Sequence, residues 1–202
     1  FKTFVIANAL EKNIVTRDKI YKNLPKEVKC GKFPIKEYRY SANKKNLSVN
    51  DILVESSNIG TIRIIQDSGL NTYRNFLENL EIFKSSTIEL PEVSSSTKKR
   101  WGKCNTLTAG YGHGINTTPI QLTRAFASII NGGNLLDISL LKNKDIKIKS
   151  QTISVKNSET MRKILRTNVD NNYSRGGSGR KADIKGYNVM GKTGTAQKPH
   201  KF

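Results

Sequence analysis

Gly191-Lys192-Thr193-Gly194-Thr195-Ala196-Gln197 is the stretch on which the reading of this 202-residue chain turns. It lies near the end of a segment, Tyr187 to Gln197, that reads as a strand. Lys192 supplies a positive charge, and the hydroxyls of Thr193 and Thr195 suit a carboxylate. Gly194 lets a peptide backbone lie close, so the strand edge can take a substrate as an additional strand. The Thr195 N–H can form half of an oxyanion hole. A tripeptide of this kind also arises by chance on an edge strand, so its weight depends on what accompanies it.

Three other short stretches accompany it. Lys2 stands on the first turn of an apolar segment, Phe1 to Leu10, that reads as a helix surrounded by protein. A lysine held there, with a second lysine nearby, has its charged form disfavoured and can serve as a base for a hydroxyl nucleophile. Ser56-Ser57-Asn58 falls between two short helices. Ser56 can both accept and donate a proton, and the Asn58 amide can hold a lysine and a substrate carbonyl. Tyr111-Gly112-His113-Gly114 reads as a tight loop at the rim of a cleft, with Tyr111 and Gly112 against substrate and His113 as a solvated side chain.

The elements between these stretches follow from periodicity and capping. Ser48 or Asn50 caps a helix over Asp51 to Glu55. A helix carrying Ile59, Ile62, Ile64 and Ile65 closes at Gly69, and Thr72 caps the next, with Tyr73, Phe76, Leu77 and Leu80 as its stripe. The clearest helix runs from about Thr118 to Ile130. Thr118 caps it, Pro119 opens it, Gln121 completes a capping box, and Gly132-Gly133 ends it. Ser158 is expected to cap a helix to about Val169. Residues 17–47, 84–100 and 171–181 read as loops, the last flexible, with a short strand or hairpin near Ile35 to Tyr40. A second hairpin is expected to pair Ile146 and Ile148 with Ile153 and Val155.

Composition bounds the function. The net charge of +19 comes from lysines scattered along the chain, which reads as a solvated exterior rather than a nucleic-acid face. No apolar run reaches membrane-spanning length, and no signal peptide is visible at Phe1. Two cysteines, Cys30 and Cys104, and two histidines do not make a zinc site, so no metal is expected. The cysteines are read as free thiols, with a disulfide between them as the alternative.

Ser-x-x-Lys, Ser-x-Asn and Lys-Thr-Gly in that order form the catalytic signature of penicillin-binding proteins and serine β-lactamases. Taken together, the stretches above resemble the transpeptidase domain of class B penicillin-binding proteins, of the division-specific type. The matches are Phe1 to Phe4, Leu47 to Gly60, Ala109 to Gly133 and Gly176 to Gln197. The resemblance implies an α/β (α+β) transpeptidase-like fold of the serine β-lactamase type. It would be incomplete here: mainly the helical lobe plus part of the antiparallel sheet, as one partial domain over residues 1–202. The strands bearing the nucleophilic serine, and those after Lys-Thr-Gly, would be missing. That serine would stand three residues before Lys2, so the chain itself is expected to be inactive.

The resemblance further implies D,D-transpeptidation of peptidoglycan without a cofactor. Lys2 would be the base, Ser56 the proton relay and Asn58 the holder of lysine and substrate. Lys192, Thr193 and Thr195 would bind the terminal carboxylate and complete the oxyanion site, with Gly194 against the substrate backbone. The implied partners are stem peptides, β-lactams as inhibitors, a membrane wall polymerase and division proteins, at the periplasmic face of the inner membrane. The alternatives are a β-lactamase or D,D-carboxypeptidase of the same superfamily, or a non-catalytic scaffold.

Overall fold

The computed structural model describes residues 1–38, 40–85, 88–90, 101–142 and 145–194. Its centre is helix α1, Lys2–Glu11, in which every residue from Thr3 to Leu10 is buried. A helix apolar on all sides has to be wrapped, and α1 is. It packs against α2 (Val49–Val54), α3 (Asn58–Ser68), α4 (Leu70–Asn79), α6 (Pro119–Ile130) and α7 (Val155–Val169). The remaining helix, α5 (Lys103–Ala109), rests on α3 and α4. One continuous apolar core runs through all of them, from Phe4 and Ile6 to Ile62, Leu77, Ile129 and Leu165.

Local chemistry sets most helix ends. The Thr118 side chain accepts from the Gln121 N–H while Gln121 reaches back to the Thr118 N–H, and Pro119 occupies the first turn of α6. Ser48, not Asn50, caps α2, in a box with Asp51. Asn50 is instead buried, bonding Tyr173 and Arg17. Gly69 closes α3 as expected, but it also opens α4, so Thr72 lies within that helix rather than capping it. The cap of α7 is Ser154, one turn earlier than the expected Ser158. Glu11 accounts for the shift: its carboxylate accepts from the Ser154 N–H, the Ser154 hydroxyl and Asn157, and so draws the turn onto the end of α1. Ser158 is left inside the helix, where its hydroxyl accepts from the Gly132 N–H.

Strands are few and short. The antiparallel pairs are β1 (Ile20–Tyr21) with β4 (Leu47–Ser48), β2 (Glu27–Cys30) with β3 (Phe33–Lys36), and β5 (Asn134–Leu136) with β6 (Ile148–Gln151). The first expected hairpin therefore sits earlier, turning at Gly31-Lys32. In the second, Ile148 pairs with Leu136 while Val155 opens α7. The expected strand from Tyr187 is irregular as far as Gly194, since no other described strand lies beside it to supply a hydrogen-bonding ladder; Thr195, Ala196 and Gln197 lie outside the described residues.

The cysteines also depart from expectation. Cys30 and Cys104 are joined in a disulfide across 74 residues, tying the β2–β3 hairpin to α5. Neither is a free thiol. The 171–181 loop, expected to be flexible, is held by many bonds. Arg175 bonds Glu55 and the Asn43 carbonyl, Tyr173 bonds Asp51, and the Ser178 N–H reaches the Val54 carbonyl.

Candidate active site

Three element ends meet at one end of this helical lobe: the start of α1, the turn from α2 to α3, and the end of α7. Lys2 opens α1, and its Nζ donates to Ser56 Oγ at 3.0 Å across 54 residues of sequence. The ammonium is pushed down to about 8, first by burial and next by the charge of Lys192; Lys44 adds to the effect and Glu37 opposes it. Lys2 and Lys192 are thus close enough to feel each other's charge.

Ser56 is held in an unusual backbone. Its φ is 55°, in the left-handed region that a β-carbon disfavours. The neighbouring bonds over-determine it. The Ser56 N–H donates to the Leu53 carbonyl at the end of α2. One residue on, Ser57 caps α3 by accepting from the Gly60 N–H at 2.9 Å. Beneath the turn sits the Glu37 carboxylate, only 8% exposed. It accepts from Ser57 Oγ at 2.5 Å, the Asn58 N–H at 3.0 Å, the Ile59 N–H at 3.2 Å and the Tyr38 N–H at 3.1 Å. An anion with these partners at a helix N-terminus satisfies donors that the helix itself leaves open. Lys44, also 8% exposed, donates to the Tyr38 carbonyl at 3.0 Å and the Glu55 carbonyl at 3.3 Å, fixing the residue before Ser56.

Asn58 differs from expectation. Its Nδ2 donates to the Lys36 carbonyl at 3.1 Å and not to Lys2, so it joins the β2–β3 hairpin to α3. Its Oδ1 makes no hydrogen bond among the described residues.

On the facing wall, Lys192 Nζ donates to Ser178 Oγ at 3.1 Å and to Thr193 Oγ1 at 3.0 Å, and Thr193 Oγ1 lies 2.9 Å from Ser178 Oγ. Burial pushes the Lys192 ammonium down to about 8. Thr193 and Gly194 are exposed, and nothing lies within 4 Å of the place a Gly194 β-carbon would occupy, so a backbone can approach there. Thr195 lies outside the described residues.

Tyr111 and Gly112, expected at the rim of a cleft, follow α5, and Gly112 lies beside Phe1, the residue before Lys2. Gly112 has φ 89°, and a β-carbon there would stand 3.3 Å from the ring of Phe1. Tyr111 is half-buried against the core and stacks on the exposed His113.

Sequence reasoning passed over Glu37, Lys44, Asn168 and Ser178. Glu37 lay inside a predicted strand and Lys44 among many lysines, and neither carries a local signal. The Gly-Ser run around Ser178 was the one visible cue.

The chain belongs to the penicillin-binding protein transpeptidase domain family, whose model matches residues 1–201. It is 31% identical over 201 residues to a probable peptidoglycan D,D-transpeptidase FtsI of Caulobacter vibrioides, covering 98% of this chain and 33% of that protein. It is 28% identical over 207 residues to the peptidoglycan D,D-transpeptidase FtsI of Escherichia coli, covering 98% of this chain and 32% of that protein. The chain thus spans about a third of the length of the curated relatives it matches. Its fold is that of the transpeptidase domain of Burkholderia pseudomallei penicillin-binding protein 3, with a TM-score of 0.87 and 23% identity over 98% of this chain and 59% of that one. A peptidoglycan glycosyltransferase structure from Burkholderia ambifaria superposes with a TM-score of 0.86 and 24% identity, over 98% of this chain and 62% of that one.

Proposed function

We propose that this chain is the site-bearing helical part of a serine D,D-transpeptidase that cross-links peptidoglycan stem peptides in cell division. The observation that carries the reading is the 3.0 Å bond from Lys2 Nζ to Ser56 Oγ, within the field of Lys192. The nucleophile is the serine of the family motif, three residues before Lys2 in the longer protein.

The chemistry proceeds in two halves. Neutral Lys2 takes the serine proton as the oxygen attacks the penultimate D-alanine carbonyl. The Thr195 N–H stabilises the resulting oxyanion. Ser56 passes a proton to the departing terminal D-alanine, and the amine of a second stem peptide then resolves the acyl-enzyme. Lys192 and Thr193 hold the terminal carboxylate, with Asn58 and the Tyr111–Gly112 rim along the peptide. With its ammonium pushed down to about 8, Lys2 is neutral far more often near pH 7 than a lysine at its ordinary value. β-Lactams acylate the same serine.

The remaining assignments rest on the family. The partners are a membrane-embedded wall polymerase and division proteins, at the outer face of the inner membrane. The Cys30–Cys104 disulfide supports an oxidising compartment outside the cytoplasm. The test is transfer: the protein extended upstream through the serine is given a D-alanyl-D-alanine pentapeptide and an amine acceptor. Release of D-alanine with formation of the amide product supports the reading. Hydrolysis alone replaces it with a carboxypeptidase, and rapid turnover of penicillin without a lasting adduct replaces it with a β-lactamase.

A further inference from the structure

Asn168 sits in the last turn of α7 and is wholly buried. Both polar atoms of its side chain are engaged. Nδ2 donates to the Gly191 carbonyl at 2.7 Å, and Oδ1 accepts from the Ser178 N–H at 3.2 Å and from Ser178 Oγ at 3.0 Å. Its own carbonyl accepts from the Gly179 N–H at 3.2 Å. The chain approaches so closely at Gly177 that a β-carbon there would fall 1.8 Å from the Asn168 carbonyl oxygen. Only glycine allows that passage.

These partners leave no freedom in the direction of the bonds. A carbonyl can only accept and a backbone N–H can only donate, so Gly191 and Ser178 together fix which end of the Asn168 amide faces which neighbour. The Ser178 hydroxyl has one proton, and Asn168 Oδ1 takes it. Its two lone pairs then face Lys192 Nζ at 3.1 Å and the Thr193 hydroxyl at 2.9 Å. Thr193 in turn offers a lone pair to Lys192 at 3.0 Å. One buried amide thereby orients three groups.

We propose that Asn168 and Ser178 are positioning residues: through the Ser178 hydroxyl they hold the Lys192 ammonium and the Thr193 hydroxyl converged on one point, beside which an incoming carboxylate binds. Ser178 Oγ is a neutral acceptor at that point. A carboxylate makes charge-assisted bonds to the same two donors and takes them over. The donors are thus gathered before the ligand arrives, and the loss of a water shell is already met by protein. The Ser178 N–H, also within 3.3 Å of the Val54 carbonyl, registers this wall against the end of α2 and so against Ser56. This inference rests on the acyl-transfer reading above.

The test uses the full-length protein with its upstream serine and measures the second-order rate of acylation by benzylpenicillin and by its methyl ester, which lacks the anionic carboxylate. Ser178→Ala lowers the rate with the free acid about ten- to hundredfold, the range for a hydrogen bond to a charged group. With the ester its loss shrinks to within about threefold of wild type, because the gathered donors no longer meet a charge. Ser178→Thr, which keeps the hydroxyl, retains the free-acid rate within about threefold. If Ser178→Ala reacts with the free acid as wild type does, or loses equally with acid and ester, the positioning role is overturned while the acyl-transfer reading stands. If the wild-type protein forms no adduct, both are overturned.

Discussion

Ser56 combines two opposed demands in one residue. Its backbone, at φ 55°, would suit glycine, while its hydroxyl accepts from Lys2. Strain of this kind costs on the order of 1 kcal/mol and persists where the surroundings over-determine it, as Glu37 and Lys44 do here. Ser56→Gly should therefore leave the melting temperature unchanged or raise it, while cutting the proposed D-alanine transfer about a hundredfold through loss of the proposed proton relay. Calorimetry and a transfer assay on the same sample check both halves.

Lys2 gives the second prediction at this scale. On the proposed mechanism acylation requires it neutral, so the rate should rise with pH through about 8 rather than the ordinary lysine value. On the proposed mechanism Lys192 must keep its charge to hold the carboxylate, and burial pushes it too down to about 8, so the profile should be a narrow bell set by the pair. Lys192→Ala removes one of the charges pressing on Lys2, so the ascending limb moves to higher pH. A pH–rate series on both proteins measures the shift.

Among the elements, the β2–β3 hairpin does more than its length suggests. It delivers Glu37 beneath the Ser56 turn, its Lys36 carbonyl holds Asn58, and its Cys30 is tied to α5, which leads into the Tyr111–Gly112 rim. Glu37→Ala leaves three backbone N–H groups and the Ser57 hydroxyl without their acceptor. It should cost about 2–4 kcal/mol in chemical denaturation. Replacing both cysteines by serine opens a loop of 74 residues in sequence and should cost about 4 kcal/mol by chain entropy. A reductant should lower the melting temperature of the parent protein and leave that of the double variant unchanged.

Legibility divides along the same lines. The α6 box was readable because Thr118, Pro119 and Gln121 are neighbours in sequence, and α1 because its apolar residues leave no polar face. The hairpin register was not, since it depends on pairing rather than composition. The cap of α7 was displaced by Glu11, about 140 residues away, and the disulfide by proximity that spacing cannot encode. At the site, Lys2, Ser56 and Lys192 stood out as motif members, whereas Glu37, Asn168 and Ser178 act only through tertiary bonds.

For the whole molecule, the buried lysines oppose folding. Lys2 and Lys192 bind protons more weakly folded than unfolded, so their penalty is full below about 8 and fades as pH rises toward their ordinary value. Stability should therefore increase between pH 8 and about 10. Above that, the buried hydroxyls of Tyr21 and Tyr73, whose burial holds them protonated, begin to oppose it as their unfolded counterparts ionise. Lys2→Met should raise stability by about 1 kcal/mol while abolishing acylation. Denaturation at pH 7, 8.5 and 10 tests both statements.

The central claim is that stretches scattered along the chain converge to line one acylation cleft. The most direct measurement treats the serine-containing protein with a fluorescent penicillin and maps the adduct by peptide mass spectrometry. The account predicts one adduct per molecule, on the serine three residues before Lys2, formed by the parent protein and not by Lys2→Ala. An adduct elsewhere, or equal labelling of Lys2→Ala, would contradict it.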